Sequence, residues 1–403
     1  MPERVLITGT GVVSPAGLGG QALWKAVTDG QPRTSPVTRF DVSGYPHQCA
    51  GQLSDEDVAA LGSVVPVHES LAARYLAAAA LEALESARLD LASTAATVGL
   101  FVGTVMGTRP VLDRGVGPGR LAMTGHVWAE PRRLLDVVRA VVPIDGPTVL
   151  LGPGCSSGNE AIAAGARAIA DGEVDIAICG GADELSLEVF AMFTSLRALA
   201  HDVIRPFDVS RKGTMPGEGA GVLVLERPGL PGRRVEPLAE LLAAASAGEA
   251  HHLTNPRPDG EGLIRAMTDC LARAGRSASD VDWVCAHGTG TVLSDGIEAS
   301  ATAAALGGSG RRPLVSSVKG ILGHSQGAAS AIEAVLATWS IVEQTVPGNG
   351  TLREPDPVCA GIDLGGTAPR ATPVRTVLNS AFGFGGGVSV LALGRPEGGD
   401  HVR

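Results

Sequence analysis

Short aliphatic and β-branched runs alternate with Ala-rich stretches along this chain, and that alternation confines it to an α/β fold with buried sheets. Residues 5–7, 98–103, 174–178 and 221–225 read as buried strands, and 70–88 and 156–170 as helices. In the second half, 281–285, 314–317 and 389–393 read as strands, and 262–274, 297–306 and 326–342 as helices. The Pro/Gly/Arg stretch 227–234 interrupts the pattern near the middle. It sets the expected division into a first half, 1–234, and a second half, 235–403. Each half has a Gly-rich turn opening a small-residue helix: Gly152-Pro-Gly-Cys-Ser-Ser-Gly158 in one, Gly323-His-Ser-Gln-Gly327 in the other. Helices so rich in Ala and Gly suit burial between two sheets. The segment 106–144 mixes Gly, Arg and Pro and reads as loop and helix.

Composition narrows the function classes. Only 3% of the 403 residues are aromatic, against 44% hydrophobic overall and 55 Gly, which implies tight packing of small aliphatic side chains. The longest uncharged apolar runs fall short of the roughly 18 residues that a membrane helix needs, so no span is expected. The first ten residues read as a strand with early charges, Glu3 and Arg4, and carry no signal-peptide pattern. A net charge of −10 without a basic patch argues against nucleic-acid binding. Six scattered cysteines with no CxxC pair indicate a reduced, cytoplasmic protein. The lysines are only Lys25, Lys212 and Lys319, so a lysine inside a motif draws notice.

Three residues carry the chemistry. Cys155 sits between glycines at the start of an Ala-rich helix, where the helix dipole and free N–H groups favour a thiolate. It reads as either a nucleophile or a buried structural thiol. Cys179 and Cys285, inside strand-like runs, read as structural. His287, in Ala-His-Gly-Thr-Gly-Thr291, and His324, in Lys319-Gly-Ile-Leu-Gly-His324, each occupy a Gly-rich turn at the end of an α/β element, where such sheets place their sites. A single histidine there is more often structural, but two in matching turns together with the cysteine favour a site. His47, His68, His126, His201, His251, His252 and His401 have no such setting. A zinc site built from Cys155, His287 and His324 matches no zinc spacing, so no metal is expected. The Gly-rich run from Phe382 to Gly387 leads into a strand and lacks the Lys-Ser/Thr of a phosphate loop.

Taken together, the motifs resemble the β-ketoacyl synthases of the thiolase superfamily, of the carrier-protein-dependent (type II) kind. They occur in that family's order: Val5-Leu-Ile-Thr-Gly-Thr-Gly-Val-Val-Ser-Pro15, Gly154-Cys-Ser-Ser-Gly158, Gly180-Gly-Ala-Asp-Glu184 and Arg205-Pro-Phe-Asp208. Gly217-Glu-Gly-Ala-Gly221, His287-Gly-Thr-Gly-Thr291, Lys319 to His324 and Phe382-Gly-Phe-Gly-Gly386 complete the set. The resemblance implies a thiolase-like five-layered αβαβα sandwich of two similar halves, usually dimeric. It implies Cys155 as the nucleophile that accepts an acyl chain, with His287 and His324 handling a malonyl thioester. Lys319 and Glu333 match supporting residues. The N–H groups of Cys155 and Phe384 match an oxyanion hole. Phe384 matches a gating ring, and Thr289, Thr291 and Phe382 substrate-binding positions. The reaction expected is decarboxylative condensation of an acyl thioester with malonyl-carrier protein, in fatty acid or polyketide biosynthesis. No cofactor is implied beyond the phosphopantetheine of an acyl carrier protein. The assembly implied is a homodimer, or a heterodimer with a chain-length-factor-like subunit.

The sequence also departs from the family. Pro153 and Gly154 stand where Thr-Ala usually precedes the cysteine, and Gly387 and Val388 where Thr-Asn or His-Asn usually follows Gly-Phe-Gly-Gly. The segment 106–144 lacks the familiar Pro-Ser…Asn-Met pattern and offers His126, Trp128, Pro131, Arg132 and Arg133. Two other readings therefore stand beside condensation: an acyltransferase on the same scaffold, and a pocket-shaping subunit of a heterodimer. The intact Cys/His/His set counts against both. Since carrier proteins of these pathways are acidic, a local basic patch is expected at the mouth, with Arg211, Lys212, Arg132 and Arg133 as candidates.

Overall fold

The computed structural model describes residues 4–113, 130–310 and 312–396. His126, Trp128 and His401 lie outside them. Ten strands carry the fold. The first half supplies β1 (Val5–Ser14), β2 (Val98–Gly103), β3 (Thr148–Leu151), β4 (Ile176–Asp183) and β5 (Gly219–Glu226). The second supplies β6 (Ala239–Gly248), β7 (Trp283–Cys285), β8 (Val315–Ser316), β9 (Thr376–Phe382) and β10 (Gly387–Gly394). Their spatial order is β8-β7-β9-β10-β6-β1-β5-β4-β2-β3. Numbered within its own half, each set of five runs 3-2-4-5-1 from its outer edge inward, so the whole reads as a palindrome. Pairing types repeat as well: β2 is parallel to β3 and β4, as β7 is to β8 and β9, and the other neighbours are antiparallel. The halves join where β1 meets β6 through Val5–Leu241, Leu6–Glu240 and Ile7–Ala239.

Helices make the remaining layers. The helices α1 (Leu71–Ser86), α2 (Ser157–Ala170), α3 (Glu261–Ala274), α4 (Val292–Leu306) and α5 (Ala329–Glu343) are the longest. The pair α2 and α5 packs together between the two halves, α1 covers the outer face of the first and α3 that of the second. This is the five-layered, thiolase-like arrangement. Because α5 meets sheet or helix on nearly every side, it buries twelve of its residues from Ala329 to Ile341, most of them small. A helix buried all round needs no polar face, which accounts for its near-absence of charge. Glu333 is the charged residue inside it.

Three strands were not legible in the sequence. The most instructive is β6, whose run Ala239–Gly248 contains no β-branched residue. Local propensity favours helix there. Ladders to β10 and β1 on both sides hold it extended instead. The expected strand at 5–7 extends through Ser14, and the segment 106–144 contributes short turns at Arg109–Asp113 and Pro131–Leu135 and a helix at Asp136–Val141. No described helix is long and apolar enough to cross a membrane.

Candidate active site

Each half delivers its part of the site from a strand end or a helix start. Cys155 lies in the turn between β3 and α2, and His324 in the turn before α5. The two central helices therefore point their N-terminal ends at one place. His324 Nε2 is 3.2 Å from Cys155 Sγ. His287, just beyond β7, stands edge-on to His324 with ring centroids 5.4 Å apart. Its other side meets the Phe382 ring at 4.5 Å. All three catalytic candidates line one cavity of about 190 Å³, together with Thr289, Thr291, Phe382 and Phe384. None of His47, His68, His201, His251 or His252 lines it. A larger groove of about 1150 Å³ runs along the second half and includes none of these residues.

The electrostatics follow from burial. Burial pushes the Cys155 thiol up to about 12, while the Lys319 ammonium pulls it the other way. The direction runs against the expectation of a favoured thiolate, because the effect of burial exceeds that of Lys319. Burial, with Lys319 behind it, holds His324 well below the usual imidazole range; His287 is lowered by burial, Lys319 and then His324. Both rings are therefore neutral, and each can present an N–H to an oxygen. Lys319 Nζ meets Glu333 Oε1 at 2.5 Å, both about 2% exposed. Burial raises the Glu333 carboxyl, and Lys319 draws it back. Cys179 and Cys285 are buried in the core, with thiols pushed up by burial.

Four acidic groups that sequence reading did not single out hold these turns. Glu298 accepts the N–H of His287 and of Gly288 at 2.8 Å each, and the Ser380 hydroxyl at 2.9 Å. Asp295 accepts the N–H of Gly290 at 3.1 Å and of Phe207 at 2.8 Å. That second bond ties Arg205-Pro-Phe-Asp208 beneath the His287 turn and helps hold Phe207 at a φ of 63°, a costly conformation for an aromatic residue. Asp208 in turn accepts the N–H of Arg353 and of Glu354. Asp183 gathers the N–H groups of Val105, Met106 and Gly327 and the Thr104 hydroxyl, joining the ends of β2 and β4 to the turn after His324. The signal was present in the Gly-Gly-Ala-Asp-Glu and Arg-Pro-Phe-Asp runs, but only their partners show what the carboxylates do.

Elsewhere the fit is partial. Thr289 and Thr291 contact each other through their hydroxyls at 3.1 Å in the cavity wall. Phe384 is 38% exposed and leans on Phe193 with centroids 6.0 Å apart. Among the described residues no backbone carbonyl takes the N–H of Cys155 or Phe384. Arg211 is not a docking residue. It is 5% exposed, and its guanidinium donates to the carbonyls of Asp208, Thr291 and Val292 and to Asp356. Its neighbour Lys212 is exposed. Arg132 and Arg133 are ion-paired with Glu130 and Asp136. No group of three or more His, Cys, Asp or Glu side chains among the described residues is arranged to hold a metal ion.

A thiol and two neutral imidazoles converging at the helix ends of a duplicated α/β sandwich define a thiolase-like acyl-transferring enzyme. Family models extend this: the N-terminal domain of β-ketoacyl synthases matches residues 2–228, and their C-terminal domain matches 238–353. The chain belongs to the β-ketoacyl synthase family. It is 31% identical to the 3-oxoacyl-[acyl-carrier-protein] synthase 2 of Coxiella burnetii, over 98% of this chain and 99% of that one. It is 32% identical to the tetracenomycin polyketide synthase ketoacyl synthase alpha subunit of Streptomyces glaucescens, over 98% of each. A solved structure titled the ishigamide ketosynthase/chain length factor superposes with a TM-score of 0.88 at 31% identity, covering 98% of this chain and 100% of that one.

Proposed function

We propose that this chain is a β-ketoacyl-[acyl-carrier-protein] synthase that performs decarboxylative condensation in a type II fatty acid or polyketide pathway. The carrying observation is the 3.2 Å approach of His324 to Cys155, with His287 beside it in the same cavity. The acyl thioester of a carrier protein enters first. Cys155 Sγ bonds to the acyl carbon, the bond to the pantetheine sulfur breaks, and one proton passes from the thiol to that leaving sulfur. The oxyanion formed on the way falls to the N–H groups of Cys155 and Phe384. Malonyl-carrier protein then takes the vacated place. Its carboxylate leaves as CO₂, and the bonding pair becomes an enolate whose oxygen accepts from the neutral His287 and His324 rings. The enolate carbon attacks the acyl carbon, the bond to Cys155 breaks, and the thiolate regains one proton from solvent. Burial, with Lys319 (paired to Glu333) acting in the same direction, keeps both rings from becoming imidazolium, so they act as hydrogen-bond donors. Thr289 and Thr291 line the path of the pantetheine arm.

The matching duplication supports a division into halves at 234/235. The homology supports an acyl carrier protein as partner and a homodimer or a pairing with a chain-length-factor-like chain. Six free cysteines suit a reducing compartment such as the cytoplasm. Each step is assigned to a residue of this chain, so the reading calls for no cofactor beyond the carrier's phosphopantetheine. The test is incubation with acyl- and malonyl-carrier proteins, scored by intact mass and by CO₂ release. One CO₂ per β-ketoacyl product is expected, and His287→Ala or His324→Ala should slow CO₂ release by about 10²-fold or more, the scale of a lost oxyanion donor. Acyl exchange without CO₂ loss would support the plain acyltransferase instead.

A further inference from the structure

The reacting groups stand on four elements: Cys155 before α2, His324 before α5, His287 after β7, and Phe382 at the end of β9 with Phe384 just beyond it. Their distances depend on how those elements are keyed together. One buried cluster does this. Asn379, on β9, donates from Nδ2 to Asn159 Oδ1 at 2.9 Å and to the Ser330 carbonyl at 2.8 Å. Asn159, in the first turn of α2, returns a bond from Nδ2 to the Asn379 carbonyl at 3.2 Å. The Asn159 N–H donates to Ser330 Oγ at 3.1 Å, and Ser330 lies in the first turn of α5. Asn379 is also the ladder partner of Cys285, which leads directly into His287. Asn159, Ser330 and Asn379 are all fully buried. The helices cross here nearly backbone to backbone: a Cβ on Gly158 would lie 2.6 Å from Ala331 N.

Apolar side chains of similar size could fill this space, but they would tolerate small slides of one element past another. Here each side-chain amide donates to the other residue, Asn379 to a side-chain oxygen and Asn159 to a main-chain one, and a slide would leave these buried donors unpaired. We propose that the Asn159–Asn379 pair is a positioning device that keeps the acylated cysteine, the histidine pair and the Phe384 strand in register for carbon–carbon bond formation. The role rests on the condensation reading above. Decarboxylation needs the malonyl group and the histidines. Bond formation needs in addition that the enolate carbon meet the acyl carbon on Cys155, and a shift of about 1 Å can cost about 10²-fold in such a step.

The experiment measures CO₂ released per β-ketoacyl product in Asn159→Ala, Asn379→Ala and the double variant, together with the rate of acyl loading on Cys155. In the unsubstituted protein the ratio should be close to one. In each single variant it should rise about tenfold or more, and loading should slow about 10- to 100-fold with KM for the acyl thioester within about twofold. The double variant should fall short of the sum of the two single effects, since both changes remove the shared Asn379 Nδ2–Asn159 Oδ1 bond while each also removes one bond of its own. Ser330→Ala leaves the amide pair intact and should keep the ratio near one. Loss of folded protein lowers CO₂ and product in step and leaves the ratio unchanged. A ratio near one with unchanged loading in the folded variants overturns the proposal. If the alanine variants do not fold, Asn159→Ser and Asn379→Ser carry the same readouts. If the unsubstituted chain releases no CO₂, the condensation reading fails, and the loading rates alone decide the positioning role.

Discussion

Cys155 shows how far surroundings govern a single side chain. Its place ahead of a helix predicted a stabilised thiolate, and its enclosure pushes the thiol up to about 12 instead. An acid with a raised pKa keeps its proton below that value. Over about pH 7–10 the reactive thiolate is thus a small fraction that grows about tenfold per pH unit. Alkylation by iodoacetamide, followed by mass, should rise with that slope and show no plateau in this range. An inflection below about pH 8 would mean a stabilised thiolate. Cys155→Ala should lose both the label and acyl loading, whereas Cys179→Ala and Cys285→Ala should retain loading.

At the scale of elements, the loop after β9 matters as much as the helices. A Cβ on Gly383 would lie 2.6 Å from Cys155 N. The obstacle is backbone, so the loop itself must move. Gly383→Ala should therefore displace the Phe384 N–H from the oxyanion position and slow acyl loading by about 10²-fold, the usual scale for a lost oxyanion donor. The loop is partly exposed, so the denaturation midpoint should change little. Normal loading in Gly383→Ala would remove this loop from the oxyanion hole. The Gly-Phe-Gly-Gly run was visible in the sequence, but its nearness to Cys155 was not, because the two are brought together only by the pairing of the halves.

For the whole molecule, the question is how an acidic chain receives an acidic carrier protein. Lys212 is exposed, while the adjacent Arg211 is buried against the Thr289–Thr291 turn. Their substitutions should separate. Lys212→Glu at a true docking site should raise KM for carrier-bound substrate with little effect on kcat, and leave a free pantetheine thioester untouched. If the Thr289–Thr291 turn carries the pantetheine arm as proposed, Arg211→Met should raise KM for both substrate types, because it releases that turn. Equal behaviour of the two variants would mean that Arg211 and Lys212 do not divide these roles.

The sequence by itself determined the α/β class, most of the strands with branched side chains and the repeated Gly-rich turns, and it singled out Cys155, His287 and His324 as candidates, which Lys319 and Glu333 joined only through the family resemblance. Those signals are local: hydrophobic runs set elements, and Gly beside Cys or His marks a turn that can approach a substrate. Tertiary structure alone decided the rest. It made a strand of Ala239–Gly248 through ladders on both sides, since Ala has no preference strong enough to resist them. It turned Arg211 inward, where three carbonyls and Asp356 take its donors. It paired Asn159 with Asn379 across 220 residues of chain. Burial and partnership are properties of the packed interior, and a residue's neighbours in sequence do not fix what lies across from it in space.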